Sequence, residues 1–403
     1  MIDPVALAPK LEARYQRNLF FFFGLAILAI AARTPDLKSD LHVNDGTYGV
    51  LVSLGAVGAM FSFFTVGQLV HKVGVKPVVL ATGSLTFATI AMIPHIHSPL
   101  IYVLINMILG FAFNAYNIAI HDQALKRQAD SGELILPRLH GVWSIGTLLT
   151  VAIAVAVTAH VSFAWHIDTL MFLCWVGTVY STLRLTPVLI KGSTEHDPNS
   201  AIKVKALWHM FLDDKLIGIA FLCAVMVEFS TNDWATLVAH QEIKASTTLS
   251  ILPYLLFMVG MIAGRLIVHR LVKIRSEDFW IKRFTAIGGI GFILLLQSAK
   301  ALVPHSFGLS FTCESLGLLI GGLGGSFMAG TITQIASRRS SLPGGVVVAQ
   351  LGIIITIFSL LVKLVISWVV DNSSITTALI IPGMMMVAVA LFPNLGSKEI
   401  QGS

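Results

Sequence analysis

Charged residues are scarce in this sequence. Asp, Glu, Lys and Arg make up 12% of the 403 residues, whereas 55% are hydrophobic. The mean hydropathy is +0.82, and a soluble domain carries about 25% charged residues. The composition therefore predicts a polytopic membrane protein whose main surroundings are the lipid bilayer.

Several motifs of known chemistry are also missing. The sequence contains no Gly-Lys-Ser/Thr phosphate loop, no His-Glu-x-x-His and no Gly-x-Ser-x-Gly. It therefore lacks the motifs typical of ATP-driven pumps and of common hydrolases, which argues against both classes. Its three cysteines, Cys174, Cys223 and Cys313, have no metal or redox spacing. We expect no cofactor and no metal, and we assign the net charge of +6 to loop orientation signals, not to nucleic acid binding.

Long apolar segments fill most of the chain. A membrane span needs about 20 mostly apolar residues. By that criterion the sequence predicts twelve spans at 18–34, 47–70, 77–95, 99–122, 139–161, 165–187, 215–239, 247–271, 279–300, 307–336, 344–370 and 374–393.

Loop charges predict the orientation of these spans. With a cytoplasmic N-terminus, most of the 27 lysines and arginines fall in cytoplasmic loops. We therefore expect a multi-pass protein of a bacterial inner (plasma) membrane with both termini cytoplasmic. The segment 19–32 also resembles a cleaved signal peptide, but a retained first span keeps the two halves equal.

The two halves of the chain echo each other. The glycine-led segment 67–76 after span 2 matches 264–273 after span 8, and 136–146 matches 342–352. We predict six-helix bundles at 1–190 and 215–403, joined by a cytoplasmic linker at 191–214. In such duplicated bundles the substrate site lies near the membrane midplane between the halves.

Four local motifs carry a resemblance to a known family. They are "ARTPDLKSDLHVNDGTYGVLVSLGAVGAM" (32–60), "LPRLHGVWSIGT" (136–147), "EFSTNDW" (228–234) and "GMIAGRL" (260–266). Together they resemble the major facilitator superfamily (MFS), and within it the bacterial branch that includes the fucose permease and the YbjJ-type proteins. The resemblance covers about residues 15–395 and implies the twelve-helix fold of two pseudo-symmetric bundles and a transport function.

The sequence departs from this family at two positions. His71 stands where the superfamily usually has an aspartate of the cytoplasmic gate, so the charge pairing of the gate differs here. Asn117 stands where the branch has an acidic residue linked to proton coupling. The gate candidates are His71, Lys72, Arg265 and Arg270.

Span 7 carries the densest set of polar residues. Glu228 and Asn232 are four residues apart and so share one helix face. Ionisable residues inside spans are costly and indicate function by default. We expect this face to bind a proton or the solute; a structural carboxylate bonded to a neighbouring helix is the alternative. Asp233 has a structural or an outer-gate role.

Spans 4 and 5 supply a second group. Asn117 and His121 share a face, and His121, Asp122 and His140 are predicted to cluster near the cytoplasmic end of this hairpin. Histidine changes charge near neutral pH. The cluster is either a proton relay or a structural hydrogen-bond network.

Isolated charges complete the set. Arg265 either extends to the interface or pairs with an acid, and Lys363 either extends outward, pairs with a carboxylate such as Glu228 or meets an anionic substrate. Glu314 is expected at the interface. The neutral side chains of Trp143, Gln334 and Gln350 suit recognition of a sugar or polyol, or else make helix contacts.

These features predict a secondary active transporter that moves a small, sugar-like solute by alternating access with proton coupling. A proton-driven exporter of drugs or metabolites is the alternative within that class. A membrane enzyme using His121, Asp122 and His140, and a receptor that binds without transport, are the competing classes. We expect a monomer that is not an enzyme, with a small-molecule substrate and protons as partners.

Overall fold

Helices account for all regular structure in the described residues. The computed structural model describes residues 4–131, 135–185, 215–326, 328–340 and 344–392. The helices are α1 Pro4–Ile27, α2 Thr34–Leu41, α3 Asp45–Ser53, α4 Gly55–Val73, α5 Val75–Met92, α6 Pro99–Ser131, α7 Leu136–Val157, α8 Phe163–Arg184, α9 Lys215–Leu237, α10 Ile251–Leu271, α11 Glu277–Leu302, α12 Phe307–Gly325, α13 Met328–Arg339, α14 Gly344–Asn372, α15 Ile375–Ala378 and α16 Ile380–Val389. The predicted linker 191–214 lies outside the described residues.

Most of these helices can cross a membrane. Among the described residues, ten helical segments are long and apolar enough to do so. The two predicted spans beyond those ten coincide with α8 and with the short apolar helices α15 and α16. The all-α membrane fold predicted from the sequence is confirmed.

Serine residues define where several helices begin. Ser162, Ser276 and Ser306 precede α8, α11 and α12. The side chain of each accepts a hydrogen bond from the backbone N–H of the residue three positions later. Such a cap supplies a partner for an N–H group that has none within the helix. The turns between helices are therefore fixed by local sequence.

Three of the predicted spans are interrupted. The first ends as α-helix at Ile27 and continues through a 3-10 turn, Ala31–Arg33, into α2. Arg33 pairs with Asp36 of α2 at 2.7 Å. The second is divided at Leu54, between α3 and α4. The twelfth is divided at Leu379, between α15 and α16. Apolar length alone gave no sign of these breaks.

The chain folds into two compact units, and the first contains residues 1–42 and 54–201. Within it α1 packs against α7 and α8, α4 packs against α6, and α5 packs against α6 and α8. Close approach between α4 and α6 depends on Gly58, because a Cβ atom there would overlap the backbone of Met107.

The second unit contains residues 43–53 and 202–403. In it α12 packs against α10 and α11, and α9 packs against α13, α14 and α16. Helix α3, which lies in the first half of the sequence, belongs to this unit because it packs against α14. The sequence repeat predicts that α3 belongs to the first bundle. The packing instead groups α3 with the helices of the second unit.

Candidate functional site

Helix α9 presents polar residues on two adjacent faces. Glu228 and Asn232 are four residues apart, and so are Phe229 and Asp233. One residue of offset turns the side chain by about 100°, since an α-helix has 3.6 residues per turn. The two acids of α9 therefore meet different neighbouring helices.

Asp233 pairs with Lys363 of α14. The Lys363 Nζ atom lies 2.7 Å from the Asp233 carboxylate, and the side chains are 20% and 16% exposed. The ammonium also lies 5.6 Å from the centroid of the Phe229 ring, a favourable position for a cation. The sequence left three alternatives for Lys363, and the structure agrees with pairing to a carboxylate. The carboxylate is that of Asp233, whereas the sequence indicated Glu228.

Glu228 faces Arg265 of α10 at a longer distance. The Arg265 Nη2 atom lies 3.8 Å from a Glu228 oxygen. Arg265 Nε donates a 2.9 Å hydrogen bond to the carbonyl of Ser326, which follows the last residue of α12. One guanidinium therefore links an acid of α9 to the end of α12, which favours the pairing alternative for Arg265 over extension to the interface.

Asn232 and Trp234 are held by packing within the second unit. The Tyr254 hydroxyl donates a 2.9 Å hydrogen bond to Asn232 Oδ1. Trp234 is buried and meets the Tyr48 ring of α3 edge-on, with ring centroids 5.9 Å apart. These contacts fix the orientation of α9 around its two ion pairs.

Two members of the predicted cluster of spans 4 and 5, His121 and His140, lie in contact in the first unit. His121 Nδ1 lies 2.9 Å from the carbonyl of Asn117, and its Nε2 lies 3.3 Å from Nε2 of His140. Because a carbonyl only accepts, Nδ1 of His121 carries the hydrogen, and Nε2 of the neutral ring accepts from His140. The Phe20 ring packs on His121 with centroids 4.9 Å apart. This chain of hydrogen bonds has a defined direction.

The other predicted residues take different positions. Trp143 contacts His140 edge-on at 6.4 Å between centroids. Asn117 and Asp122 are partly buried, Gln350 is fully buried, and Gln334, Lys72 and Arg270 are exposed. The side chain of His71 lies outside the part of the chain that is described.

Sequence reasoning missed two acids of the second unit. The expectation that Glu314 is interfacial is wrong, since this residue is 0% exposed within the protein. Glu242 was not singled out, although it ends a π-helical turn, Val238–Glu242, and accepts hydrogen bonds from the start of α15. The isolation of Glu314 in an otherwise uncharged helix, Phe307–Gly325, was the available signal.

Comparisons with known proteins agree on one family. A family model described as Major Facilitator Superfamily matches residues 18–350. An uncharacterized MFS-type transporter of Yersinia pestis is 23% identical over 353 residues, covering 87% of each chain. The membrane protein MosC of Rhizobium meliloti is 23% identical over 323 residues, covering 80% of this chain and 74% of MosC.

Solved structures show the same fold. The nucleoside transporter NupG superposes with a TM-score of 0.72 at 15% identity, covering 95% of this chain and 97% of NupG. A D-xylose-proton symporter superposes with a TM-score of 0.73 at 12% identity, covering 98% of this chain and 100% of the symporter.

Proposed function

Because the chain belongs to the Major Facilitator Superfamily, it is a secondary transporter of a small solute, and we propose that protons drive it. The supporting observation is that α9 makes two ion pairs within membrane helices, Glu228 with Arg265 and Asp233 with Lys363. Protonation of either carboxylate removes its negative charge and so weakens its hold on the cation. Proton binding would thereby change how α9 contacts α10 and α14.

We propose that the solute is small, neutral and rich in hydroxyl groups, as a sugar or a nucleoside is. In the second unit Asn232, held by Tyr254, offers hydrogen bonds that suit such a solute. The motifs at 136–147 and 228–234 support placing the chain in the branch that includes the fucose permease and the YbjJ-type proteins. The structural neighbours, a nucleoside transporter and a D-xylose-proton symporter, fit the same solute class.

We assign further roles to the first unit and to the helix ends. His121 and His140 pass a proton between their Nε2 atoms, the Asn117 carbonyl orients the His121 ring, and Asp122, next to His121 in sequence, supplies the proton or takes it up. Among the gate candidates Arg265 holds the end of α12 through Ser326. His71, Lys72 and Arg270 stand at the ends of α4 and α10, where they would contact the cytoplasmic gate.

Reconstitution into liposomes tests this function. The purified protein is offered radiolabelled D-xylose, L-fucose and uridine with and without an imposed proton gradient. We expect one of the three probes to accumulate only while the gradient lasts, and a protonophore to abolish accumulation. The orientation of the proton gradient that produces accumulation distinguishes uptake from export. Flux of a probe that ignores the gradient contradicts proton coupling, and no flux of any probe contradicts the solute class.

Two conservative variants locate the driving charge among the ion pairs. Glu228→Gln and Asp233→Asn keep the side-chain shape and remove the negative charge. The variant that removes the driving charge should lose accumulation but keep exchange of labelled for unlabelled solute. If both variants accumulate the probe as the wild type does, neither ion pair drives transport.

A further inference from the structure

Glu314 is an acid for which the proposed function has so far given no role. Its side chain is 0% exposed. Neither carboxylate oxygen has a hydrogen-bond partner among the residues that the structure describes. An ionised carboxylate without donors is expensive to bury, whereas the protonated carboxylic acid is neutral. Burial therefore favours Glu314 with a proton bound.

A second acid of this unit is held differently. The Oε1 atom of Glu242 accepts the N–H of Ile375 at 2.6 Å, and its Oε2 atom accepts the N–H of Thr376 at 3.2 Å and the hydroxyl of Thr376. Glu242 therefore has the donors that a partly buried carboxylate needs, whereas Glu314 has none among the described residues.

Among the described residues, no cation donates a hydrogen bond to the Glu314 carboxyl group. Helix α12 contains no charged residue besides Glu314. The ammonium of Lys300, at the end of α11, donates to the hydroxyl oxygens of Ser374 and Thr377 at 2.5 and 3.3 Å. Two further acids on the helices that pack against α12, Glu228 and Asp233, have their own partners. The other charged residues of these helices lie toward the opposite ends of α10 and α11 from Glu314; they are Arg265, Arg270, Glu277, Asp278, Lys282 and Arg283.

We propose that Glu314 is a proton-binding site. In this conformation its buried carboxyl group carries a proton. When a conformational change brings water to Glu314, its O–H bond breaks, the electron pair stays on the carboxylate and the proton passes to water. That this proton is one that drives transport rests on the proton coupling proposed above.

Infrared spectroscopy of the purified protein tests proton binding without any solute. The carbonyl stretch of a protonated carboxylic acid is separate from the bands of carboxylates, and it shifts in heavy water. We expect this band at neutral pH in the wild type and its loss in Glu314→Gln. Glu277→Gln is the matched control, because Glu277 pairs with Arg338 at 3.2 Å at the opposite end of α11 and should leave the band unchanged.

The other outcomes overturn the proposal. A wild type without the band at neutral pH, or a band that survives in Glu314→Gln, means that Glu314 binds no proton. Glutamine imitates the shape and neutrality of a protonated glutamate, so a Glu314→Gln protein that elutes as an aggregate also contradicts a protonated native side chain.

Transport by the same variant tests whether this proton drives the cycle. With the probe that accumulates in the wild type, Glu314→Gln should bring the solute only to equal concentrations on both sides. If Glu314→Gln loses the infrared band but accumulates the solute as the wild type does, the proton on Glu314 has a structural role and does not drive transport. If no probe couples to protons in the wild type, the proposed function fails, while the infrared result stands on its own.

Discussion

At the scale of single residues, the charges of α9 differ in how closely they are held. Asp233 and Lys363 touch at 2.7 Å with both side chains at least four-fifths covered, whereas Glu228 and Arg265 are 3.8 Å apart and more open. A covered ion pair destabilises the protein mainly when one partner is removed, because the remaining charge is left without its counter-ion. The stability of the two pairs should therefore respond differently to mutation.

We expect Lys363→Met to lower the free energy of unfolding by about 3 kcal/mol, because Asp233 then remains as a covered, unpaired carboxylate. The double variant Lys363→Met with Asp233→Leu should regain most of that loss. Thermal unfolding in detergent measures all three proteins. Equal stability of the single and the double variant would show that the charges do not act as a pair.

Much of this site could be predicted at the residue scale, but the partners could not. Sequence spacing placed Glu228 and Asn232 on one face of a helix, and the structure agrees. It offered Glu228 as a partner of Lys363, whereas the one-residue offset turns Asp233 toward α14. Glu314 was assigned to the interface from its distance to the helix start, and sequence does not show which helices surround it.

At the scale of helices, two close contacts depend on particular residues. A Cβ atom on Gly49 of α3 would overlap the Ser367 hydroxyl of α14 and lie 2.6 Å from the Trp234 ring. Glycine therefore sets the distance between α3 and α14. The second contact is the hydrogen bond from Arg265 Nε to the Ser326 carbonyl at the end of α12.

Gly49→Ala should destabilise the protein by about 1–3 kcal/mol, because α3 must move away from α14 to admit a methyl group. Gly67→Ala is the matched control. Gly67 lies in helix α4 with no atom within 4 Å of an added Cβ, so alanine there should stabilise the helix by about 0.5–1 kcal/mol. Melting temperatures that move in the same direction for both variants would contradict the close contact.

Arg265→Lys should loosen the end of α12. A lysine has one ammonium group and cannot reproduce the fixed geometry by which a guanidinium reaches both Glu228 and the Ser326 carbonyl. We expect faster hydrogen–deuterium exchange in the peptide that covers the last turn of α12 and Ser326, with little change in α5. Unchanged exchange in that peptide would mean that Arg265 does not hold the end of α12.

The elements themselves were predictable where apolar length decides them. The predicted span 165–187 corresponds to α8, Phe163–Arg184, and 139–161 to α7, Leu136–Val157. The π-helical turn Val238–Glu242 and the division at Leu54 depend on contacts with other helices, such as Glu242 with α15 and α3 with α14. Hydropathy contains no information on those contacts.

At the scale of the whole molecule, the distribution of positive charge predicts the direction of the chain. Lysines and arginines gather at the end of α4, after α10 and at the end of α13. These three sites follow an even number of crossings from the N-terminus. We therefore propose that these ends and both termini face the cytoplasm of a bacterial cell, since positive loops stay inside.

Reporter fusions test that orientation. Ten candidate spans, together with α8 and with α15 and α16 as two further crossings, add up to an even number, so the proposed orientation has both termini on one side. A fluorescent protein fused after Ser403 should fluoresce. Alkaline phosphatase, which needs an oxidising compartment for its disulfides, should be active when inserted after His160, between α7 and α8, and inactive after Arg275, which follows α10. Phosphatase activity after Arg275 and none after His160 would reverse the orientation, and with it the side from which protons enter.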